Sequence, residues 1–487
     1  MPQVNAALIG RILGPVMFLL IYYFAKPDGM SPEALSMLAV TAWVATWWIT
    51  EAIPIAATSL LPLVLLPILG ALSIQDTAKS YSHPMVLLYM GGFMIAMSIE
   101  KWNLHKRIAL HTIRFIGSNT RLIILGFMVA TAFLSMWISN TATSLMMLPI
   151  AIAVSTQLTG DTVRSRTENK FGKALLLGVA YSASIGGLAT LIGTPTNIIL
   201  ASVIKEIYQY EISFNQWMLF GLPISLIMLL LTWYYLTHLA FKFDSNQNFL
   251  SGKKEIDQQL EKIGLMTIEE KRVSWVFGAV SLAWITRTEY LQKLIPALDD
   301  TIIALSGVLF LFVIPSSKPN IKLLDWKTAE KIPWGVLLLF GGGLSLAEGF
   351  SSTGLAEWIG HQFVFLDFIA FGLFLLIIIV SVNFLTEITS NMATASMLLP
   401  ILAAISYSMG VHPFGLMVGA TMASSCAFML PVATPPNAVV FGSGYLEMKD
   451  MIKAGFWLNI LSIIVIAAFT RYYLPAVWKI DLLYYPF

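Results

Sequence analysis

The chain has 487 residues, of which 57% are hydrophobic and only 11% are charged, and its mean hydropathy is +0.77. Soluble domains carry about 25% charged residues, so this composition argues against a soluble enzyme. The net charge of +2 indicates no particular partner, and we expect no nucleic-acid binding. Cys426 is the only cysteine, which excludes an intramolecular disulfide or a multi-cysteine metal site.

Apolar segments near the length of a bilayer crossing recur along the whole chain. The first runs from Ala6 to Phe24, is long for a signal peptide and lacks a small-residue cleavage pattern, so we predict a retained span. An all-α polytopic membrane protein with 11 transmembrane helices is therefore expected. The predicted spans are 7–25, 34–50, 54–72, 84–100, 174–204, 215–241, 273–289, 300–315, 333–350, 415–443 and 455–475.

Two longer apolar regions, 121–158 and 365–409, each contain a copy of one polar motif. Residues 139–150 read SNTATSLMMLPI and residues 390–401 read SNMATASMLLPI, identical at eight of twelve positions. Polar residues at membrane depth are costly unless they have a structural or functional role. A duplicated polar motif is typical of a transporter whose binding site lies between two structural repeats.

A second duplicated motif follows each copy of the first. It reads GTPTN at 193–197 and ATPPN at 433–437. Pro195 and Pro435 remove backbone donors and predict interruptions in the helices 174–204 and 415–443. An interrupted helix at membrane depth is tolerated where its free backbone groups line a cavity or bind a ligand.

The distribution of basic residues predicts the orientation of these elements. Along the predicted topology, 21 of the 29 Lys and Arg residues face the cytoplasm and 6 face outside, with Arg11 and Arg287 within or beside spans. Both flanks of 121–158 are basic, so this region enters and leaves on the cytoplasmic side as a re-entrant hairpin. The flanks of 365–409 contain no Lys or Arg, and that hairpin opens outward.

This topology predicts two inverted repeats, each with a re-entrant hairpin and a broken helix. The N-terminus is expected in the cytoplasm and the C-terminus outside. The expected organisation is a first span with its connector (1–33), a first repeat (34–241), a cytoplasmic linker (242–272) and a second repeat (273–487).

The hairpin tips combine groups that suit an anion with groups that suit a cation. A helix N-terminus offers free N–H donors, whereas a helix C-terminus offers carbonyl oxygens. None of the four motifs contains a charged side chain, so an anion is held by helix ends, amides and hydroxyls, and a cation by neutral oxygens, which suits Na⁺. Glu387 is the nearest carboxylate, and we expect a structural role for it in preference to a role at the cation site.

The duplicated motifs and two further segments, in their order along the chain, resemble motifs of the divalent anion:sodium symporter family. They are the paired SN tips, the paired TP motifs, TEAIPIAATSLLPLVLLPILG (50–70) and PWGVLLLFGGG (333–343). The resemblance implies co-transport of Na⁺ with a dicarboxylate, citrate or sulfate. It also implies a homodimer in which a transport domain moves as an elevator against a scaffold domain.

The same resemblance implies the site residues. One sodium site corresponds to Ser135, Ser139, Asn140 and Gly193, and the other to Thr386, Thr389, Asn391 and Ala433. The residues at or near the substrate carboxylates correspond to Asn140, Thr141, Thr194, Pro195, Asn391, Met392, Thr434 and Pro435. The chain departs from the symmetric pattern at Met392, where some relatives have threonine, so this position bears on the choice of substrate.

The sequence therefore predicts a sodium-coupled importer of C4-dicarboxylates (succinate, malate or fumarate) in the cell inner (plasma) membrane. A sodium-independent dicarboxylate exchanger is the nearest alternative, followed by a transporter of citrate or sulfate. From the residues alone, an anion channel is a further alternative. A membrane enzyme is disfavoured because the six histidines are dispersed and lie outside the four motifs.

Overall fold

The computed structural model describes residues 6–25, 27–117, 119–159, 169–243, 249–362 and 369–487. Over these ranges the chain is helical, and the only β-type pairing is an isolated bridge between Pro315 and Lys322. The all-α expectation is thus confirmed. The N-terminal helices are Ala6–Phe24 (α1), Pro32–Thr50 (α2), Ile55–Thr58 (α3), Leu61–Ile68 (α4), Ile74–Tyr81 (α5), Pro84–Lys101 (α6) and Leu104–Ile116 (α7).

The first copy of the duplicated motif lies in a helical hairpin followed by an interrupted helix. Asn119 caps the hairpin and Asn169 caps the interrupted helix, each by accepting a backbone N–H three residues later. The helices are Thr120–Ser135 (α8), Asn140–Thr159 (α9), Lys170–Gly187 (α10), Pro195–Tyr208 (α11) and Phe214–Tyr234 (α12), the last continued by a π-helix over Tyr235–Ala240.

The middle of the chain joins this first half to the second. Its helices are Phe249–Ile263 (α13), Ile268–Thr286 (α14), Gln292–Leu294 (α15), Asp300–Val313 (α16), Trp326–Ala329 (α17), Trp334–Ser352 (α18) and Leu355–Gln362 (α19). A π-helical segment, Arg287–Leu291, separates α14 from α15. The expected linker 242–272 thus contains a helix, α13, although residues 244–248 lie outside the described ranges.

The second copy of the motif lies in a second hairpin and a second interrupted helix. The helices are Phe371–Leu385 (α20), Asn391–Ser408 (α21), Pro413–Ser424 (α22), Pro435–Phe441 (α23), Met448–Ala468 (α24) and Leu474–Trp478 (α25), with a π-helix over Phe469–Tyr473 between the last two. Both hairpins turn at the motif, and both predicted broken helices are interrupted directly before Pro195 and Pro435.

The two halves of the structure interlock through these elements. The returning helix of each hairpin packs against the second half of the other interrupted helix, α9 against α23 and α21 against α11. The hydroxyls of Thr196 and Ser425 lie 2.6 Å apart, and the Tyr181 hydroxyl donates to the Phe428 carbonyl at 2.9 Å. The two interruptions therefore meet in one region of the molecule.

Six helical stretches of the described chain are long and apolar enough to cross a membrane. They are Ala6–Phe24, Ile74–Lys101, Phe214–Ala240, Trp334–Ser352, Asn391–Ser408 and Met448–Trp478. The expected span 54–72 is instead a shorter apolar stretch, Ile55–Ile68. Pro54 precedes it and Gly70, at φ +72°, follows it, and both residues favour helix ends. The total of eleven spans stays a prediction.

Candidate functional site

The tip of the first hairpin brings four polar groups together beside the first interrupted helix. The Ser135 hydroxyl donates to the Ala183 carbonyl at 2.7 Å and lies 2.6 Å from a terminal atom of the Asn140 amide. The same amide atom lies 3.1 Å from the Ala183 carbonyl oxygen and 3.2 Å from the Gly193 carbonyl oxygen. With its nitrogen at that position the amide donates to this ring of oxygens. With its oxygen there, four neutral oxygens converge on one point.

Two glycines allow this convergence. A Cβ atom on Gly193 would lie 2.5 Å from the Gly187 carbonyl oxygen, and one on Gly187 would lie 2.9 Å from the Asn140 amide. Since real Cβ atoms do not approach other atoms this closely, any larger residue forces the backbone apart. The structure thus brings together Ser135, Asn140 and Gly193, three of the four residues predicted for the first sodium site.

The tip of the second hairpin repeats the arrangement. The Thr386 hydroxyl oxygen lies 2.6 Å from the Asn391 amide oxygen and 2.9 Å from the Ser424 carbonyl oxygen, and its one proton is donated to either of them. Thr386 and Asn391 correspond to Ser135 and Asn140 in the first copy. Thr389 lies beside them, where its hydroxyl contacts the Thr394 hydroxyl at 2.7 Å and donates to the Leu385 carbonyl. Its side chain is thus already engaged within the hairpin.

The asparagines that end the TP motifs hold the two interruptions open. Asn197 donates its amide to the carbonyls of Gly187 and Thr190, at 3.1 and 2.8 Å. Asn437 donates to Ala427 and Leu430, at 3.1 and 3.0 Å. In each case the acceptors lie ten and seven residues earlier. The sequence-based site assignment omitted these asparagines, although their duplication within GTPTN and ATPPN was visible.

Each asparagine also leaves one buried atom unpaired. The amide oxygens of Asn197 and Asn437 have no hydrogen-bond partner within the described structure, and both residues are fully buried. A buried amide oxygen without a donor costs about 1–3 kcal/mol, so it provides an acceptor for a ligand. The matched pair supports a role for both interruptions in binding.

Glu387 supports the second interruption, as the structural expectation proposed. Its carboxylate accepts the backbone N–H groups of Phe428, Met429 and Leu430 at 2.8–3.0 Å. The Asn459 amide donates a fourth hydrogen bond at 2.8 Å, and Glu387 is only 3% exposed. A buried carboxylate with four donors is satisfied without a basic partner.

Both tips place the N-terminus of a long helix at the site. Helix α9 begins at Asn140 and α21 begins at Asn391. Ser139 caps α9 by accepting the N–H of Ala142 at 3.2 Å, whereas Ser390 makes no side-chain cap to α21. The simple capping interpretation therefore accounts for one serine only. The first N–H groups of each helix form a local positive end that suits an anion.

The remaining predicted substrate residues lie at or near these helix starts. Thr194 and Thr434 directly precede α11 and α23, and both are buried. Pro195 and Pro435 occupy the first position of those helices, where their missing N–H costs nothing. Thr141 and Met392 are half-buried at the second positions of α9 and α21.

The described residues contain no group of three or more His, Cys, Asp or Glu side chains that could hold a metal ion. A cation at either tip is therefore surrounded by carbonyl, hydroxyl and amide oxygens. Hard cations such as Na⁺ accept such ligands, whereas transition metals favour imidazole and thiolate.

The chain is similar in sequence to known transporters. The model of a family described as the sodium:sulfate symporter transmembrane region matches residues 5–480. The chain is 46% identical over 483 residues to the sodium-dependent dicarboxylate transporter SdcS of Staphylococcus saprophyticus, covering 97% of this chain and 92% of the relative. The SdcS of Staphylococcus aureus (strain USA300) is also 46% identical, over 98% of this chain and 92% of its own.

Two solved structures share the fold. The Neisseria gonorrhoeae MtrF structure superimposes with a TM-score of 0.57 at 13% identity, covering 99% of this chain and 96% of that one. The Alcanivorax borkumensis YdaH transporter gives 0.55 at 12% identity, covering 92% and 99%. At these identities the likeness concerns the fold alone.

Proposed function

Because the chain belongs to the sodium:sulfate symporter family, whose members are transporters and not enzymes, we propose that it imports C4-dicarboxylates such as succinate, malate and fumarate together with Na⁺. Its similarity to the sodium-dependent dicarboxylate transporters supports sodium coupling and a dicarboxylate substrate. The choice of C4 acids among the dicarboxylates is part of the proposal, and competition by citrate and sulfate tests it.

The observation that carries the proposal is the cluster of neutral oxygens at the first tip. The Ser135 hydroxyl and the carbonyl oxygens of Ala183 and Gly193 lie 2.6–3.2 Å from one terminal atom of the Asn140 amide. We propose that Na⁺ turns the Asn140 amide oxygen into this cluster, so that its nitrogen faces the substrate. Thr386, Asn391 and the Ser424 carbonyl hold a second Na⁺ in the same way, with Ser139, Thr389 and Ala433 adjacent.

The arrangement couples the two ligands electrostatically. The helix starts at Asn140 and Asn391 attract the substrate carboxylates, and two nearby cations reduce the cost of placing a dianion among uncharged groups. Each ligand therefore strengthens the binding of the other, which is the reciprocal coupling that symport requires. The inward sodium gradient then drives entry of an anion that the membrane potential opposes.

We further propose that the chain lies in the cell inner membrane as a homodimer, with its N-terminus in the cytoplasm. The hairpins and interrupted helices (α8–α11 and α20–α23) form the transport domain, which moves as an elevator against α1–α7 and α14–α19. The interlocking of α9 with α23 and of α21 with α11 supports treating these hairpins and helices as one body. Light scattering of the detergent-solubilised protein tests the dimer.

Replacement of either tip asparagine tests the site. Asn140→Ala and Asn391→Ala each remove a cation ligand and an anion donor, so sodium-driven uptake of radiolabelled succinate into proteoliposomes falls by at least about tenfold. Asn320→Ala, at an exposed turn with φ +60°, serves as the control and retains uptake.

Wild-type uptake and sodium dependence in both tip variants would overturn the site. The same vesicles separate the alternatives. Uptake that requires succinate inside but not Na⁺ outside indicates an exchanger, and competition by citrate or sulfate stronger than by fumarate indicates a different substrate. A unitary conductance in planar bilayers indicates a channel.

A further inference from the structure

A cavity of about 730 Å³ opens beside the first hairpin. One wall is α9, which contributes Ala142, Met146 and Pro149, so the cavity begins one turn or less from the helix start at Asn140. A second wall is α7 and a third is α13. Both belong to the side that the basic residues assign to the cytoplasm. The cavity therefore lies between the proposed substrate site and that side.

Two lysines from different walls line this cavity. Lys106 belongs to α7 and Lys262 to α13, and both are exposed. Among the described residues neither ammonium group has an ion-pair partner. Of the described residues, Glu100 is the one carboxylate in the lining, and the amides of Asn103 and Gln259 supply neutral donors. The cavity therefore carries a net positive charge.

His105 does not add to that charge. It lines the cavity but is 5% exposed, and burial lowers its pKa below the ordinary value of 6.5. Its Nδ1 atom lies 3.2 Å from the Ile99 carbonyl oxygen, which holds the ring in place. The two lysines thus dominate the field that an anion in the cavity experiences.

The wall that carries Lys262 is docked firmly. Ile256 on α13 is 2% exposed and belongs to the main apolar core, with Leu260 and Ile263 packed against it. Asp257 on the same helix forms an ion pair with Arg114 on α7, with 2.9 Å between Oδ1 and Nε. The helix that follows is held by Arg107, which donates two hydrogen bonds to Glu270 at 2.9 and 3.0 Å.

We propose that Lys106 and Lys262 form a second, weaker dicarboxylate site in this cavity, through which the substrate passes on the cytoplasmic side. The inference rests on the proposed function, because it assumes a dianionic substrate. A dianion that leaves the hairpin tips for water loses its attraction to the two bound Na⁺ ions and to the positive ends of α9 and α21. Two cationic groups on adjoining walls offset part of that loss and raise the local concentration of the anion. The helical linker α13 thereby becomes part of the transport path.

The alternative is that these lysines only mark the cytoplasmic face, as basic residues in loops generally do. Lys254 provides a matched comparison, since it is exposed on the same helix α13 but does not line the cavity. Glu100 provides a variant of opposite sign. A site in the cavity responds to Lys106, Lys262 and Glu100 and not to Lys254.

The test measures succinate transport separately from each face of the membrane. Right-side-out and inside-out vesicles containing the full chain present the outer and the cytoplasmic face, respectively. In the double variant Lys106→Gln/Lys262→Gln, the cytoplasmic-face KM for succinate rises about tenfold while the outer-face KM changes less than about twofold. Glu100→Gln lowers the cytoplasmic-face KM, and Lys254→Gln leaves it unchanged.

Ionic strength gives an independent readout. Added salt raises the cytoplasmic-face KM of the wild type, because it screens exposed charges over about 8–10 Å, and this dependence is lost in the double variant. An unchanged cytoplasmic-face KM in the double variant, or an equal rise in Lys254→Gln, overturns the second site while the proposed function stands. A wild type that carries no succinate from either face overturns the proposed function itself.

Discussion

At the scale of single residues, the two copies of the site differ in how their interruptions are supported. In the first copy the Thr190 hydroxyl donates to the Met136 carbonyl at 2.5 Å, which ties the interruption to the hairpin tip. In the second copy Glu387 and Leu430 occupy the corresponding positions, and the carboxylate accepts the Leu430 N–H at 3.0 Å. The linking side chain thus belongs to the interruption in the first copy and to the hairpin tip in the second copy.

Glu387→Gln tests this support. Glutamine has one acceptor oxygen where the carboxylate has two, and its amide nitrogen faces N–H donors, so at least one buried donor loses its partner. Each lost hydrogen bond costs about 1–3 kcal/mol, and we expect a lower Tm of the detergent-solubilised protein. Glu357→Gln, at an exposed glutamate, leaves the Tm unchanged. Equal Tm values for both variants would contradict the role assigned to Glu387.

Met392 is the position where the two tips differ most in chemistry. Its side chain is half-buried and packs against both apolar clusters of the molecule, including the one formed by α1, α2, α4 and α18. The methionine, at the second position of α21, therefore contributes contacts outside the hairpin. This geometry explains why an apolar residue is accommodated where Thr141 stands in the first copy.

Met392→Thr is expected to change substrate preference more than sodium dependence. The new hydroxyl adds a donor near the helix start, where we propose that the anion binds, and leaves the proposed cation ligands Thr386 and Asn391 unaltered. Competition of unlabelled citrate, sulfate and malate against radiolabelled succinate measures the substrate preference. A sodium titration of uptake measures the sodium dependence. An unchanged competition profile with an altered sodium dependence is the contradicting result.

At the scale of elements, the close approach of backbone segments determines the packing of the first proposed site. The interruption between α10 and α11 lies against the hairpin because Gly186 and Gly187 lack side chains, and it closes on itself because Gly193 does. The second copy has Ala427 and Ala433 in the places of Gly187 and Gly193, so its interruption leaves more room for a Cβ atom. The two sites are therefore similar in ligands but not identical in packing.

Gly193→Ala is expected to disable the first site selectively. The added methyl group lies 2.5 Å from the Gly187 carbonyl oxygen, and relieving such an overlap typically costs about 1–3 kcal/mol. We expect weaker apparent sodium affinity in succinate uptake, because the Gly193 carbonyl moves away from Asn140. Gly278→Ala is the matched control and retains the wild-type sodium affinity, because a Cβ atom at this exposed glycine of α14 meets no other atom within 4 Å. Similar sodium titrations for Gly193→Ala and the wild type would contradict the packing argument.

At the scale of the whole molecule, a polar contact joins the two proposed bodies. His83, at the start of α6, lies 3.6 Å from Glu206 near the end of α11, measured between Nε2 and Oε2. The His83 Nδ1 atom accepts the Met85 N–H at 3.2 Å, so in the neutral ring Nε2 carries the proton and faces the carboxylate. An elevator movement of α11 against α6 has to separate this pair.

A cross-link between these positions tests the movement. We expect a short bifunctional maleimide to join His83→Cys to Glu206→Cys and to lower succinate uptake by at least about tenfold, because the two bodies can no longer shift. The native Cys426 is fully buried and does not compete for the reagent. The control pair is Lys101→Cys/Asp325→Cys, whose native side chains lie within one body with 2.7 Å between Nζ and Oδ2. This pair retains uptake when it is cross-linked. Full uptake by a completely cross-linked His83–Glu206 pair would rule out the elevator division.

The sequence by itself determined the helical class, the two hairpins, the two interrupted helices and the position of the tips. These features are local, because apolar runs, SN turns and prolines act on their own segment of chain. Only the tertiary structure decided which distant groups meet, such as Ser135 with Ala183, Thr196 with Ser425 and Glu387 with Asn459. It also docked α13 onto α7 and α9, where the sequence indicated only a linker or a short surface helix. Such contacts depend on how whole helices pack, and no spacing within one segment contains that information.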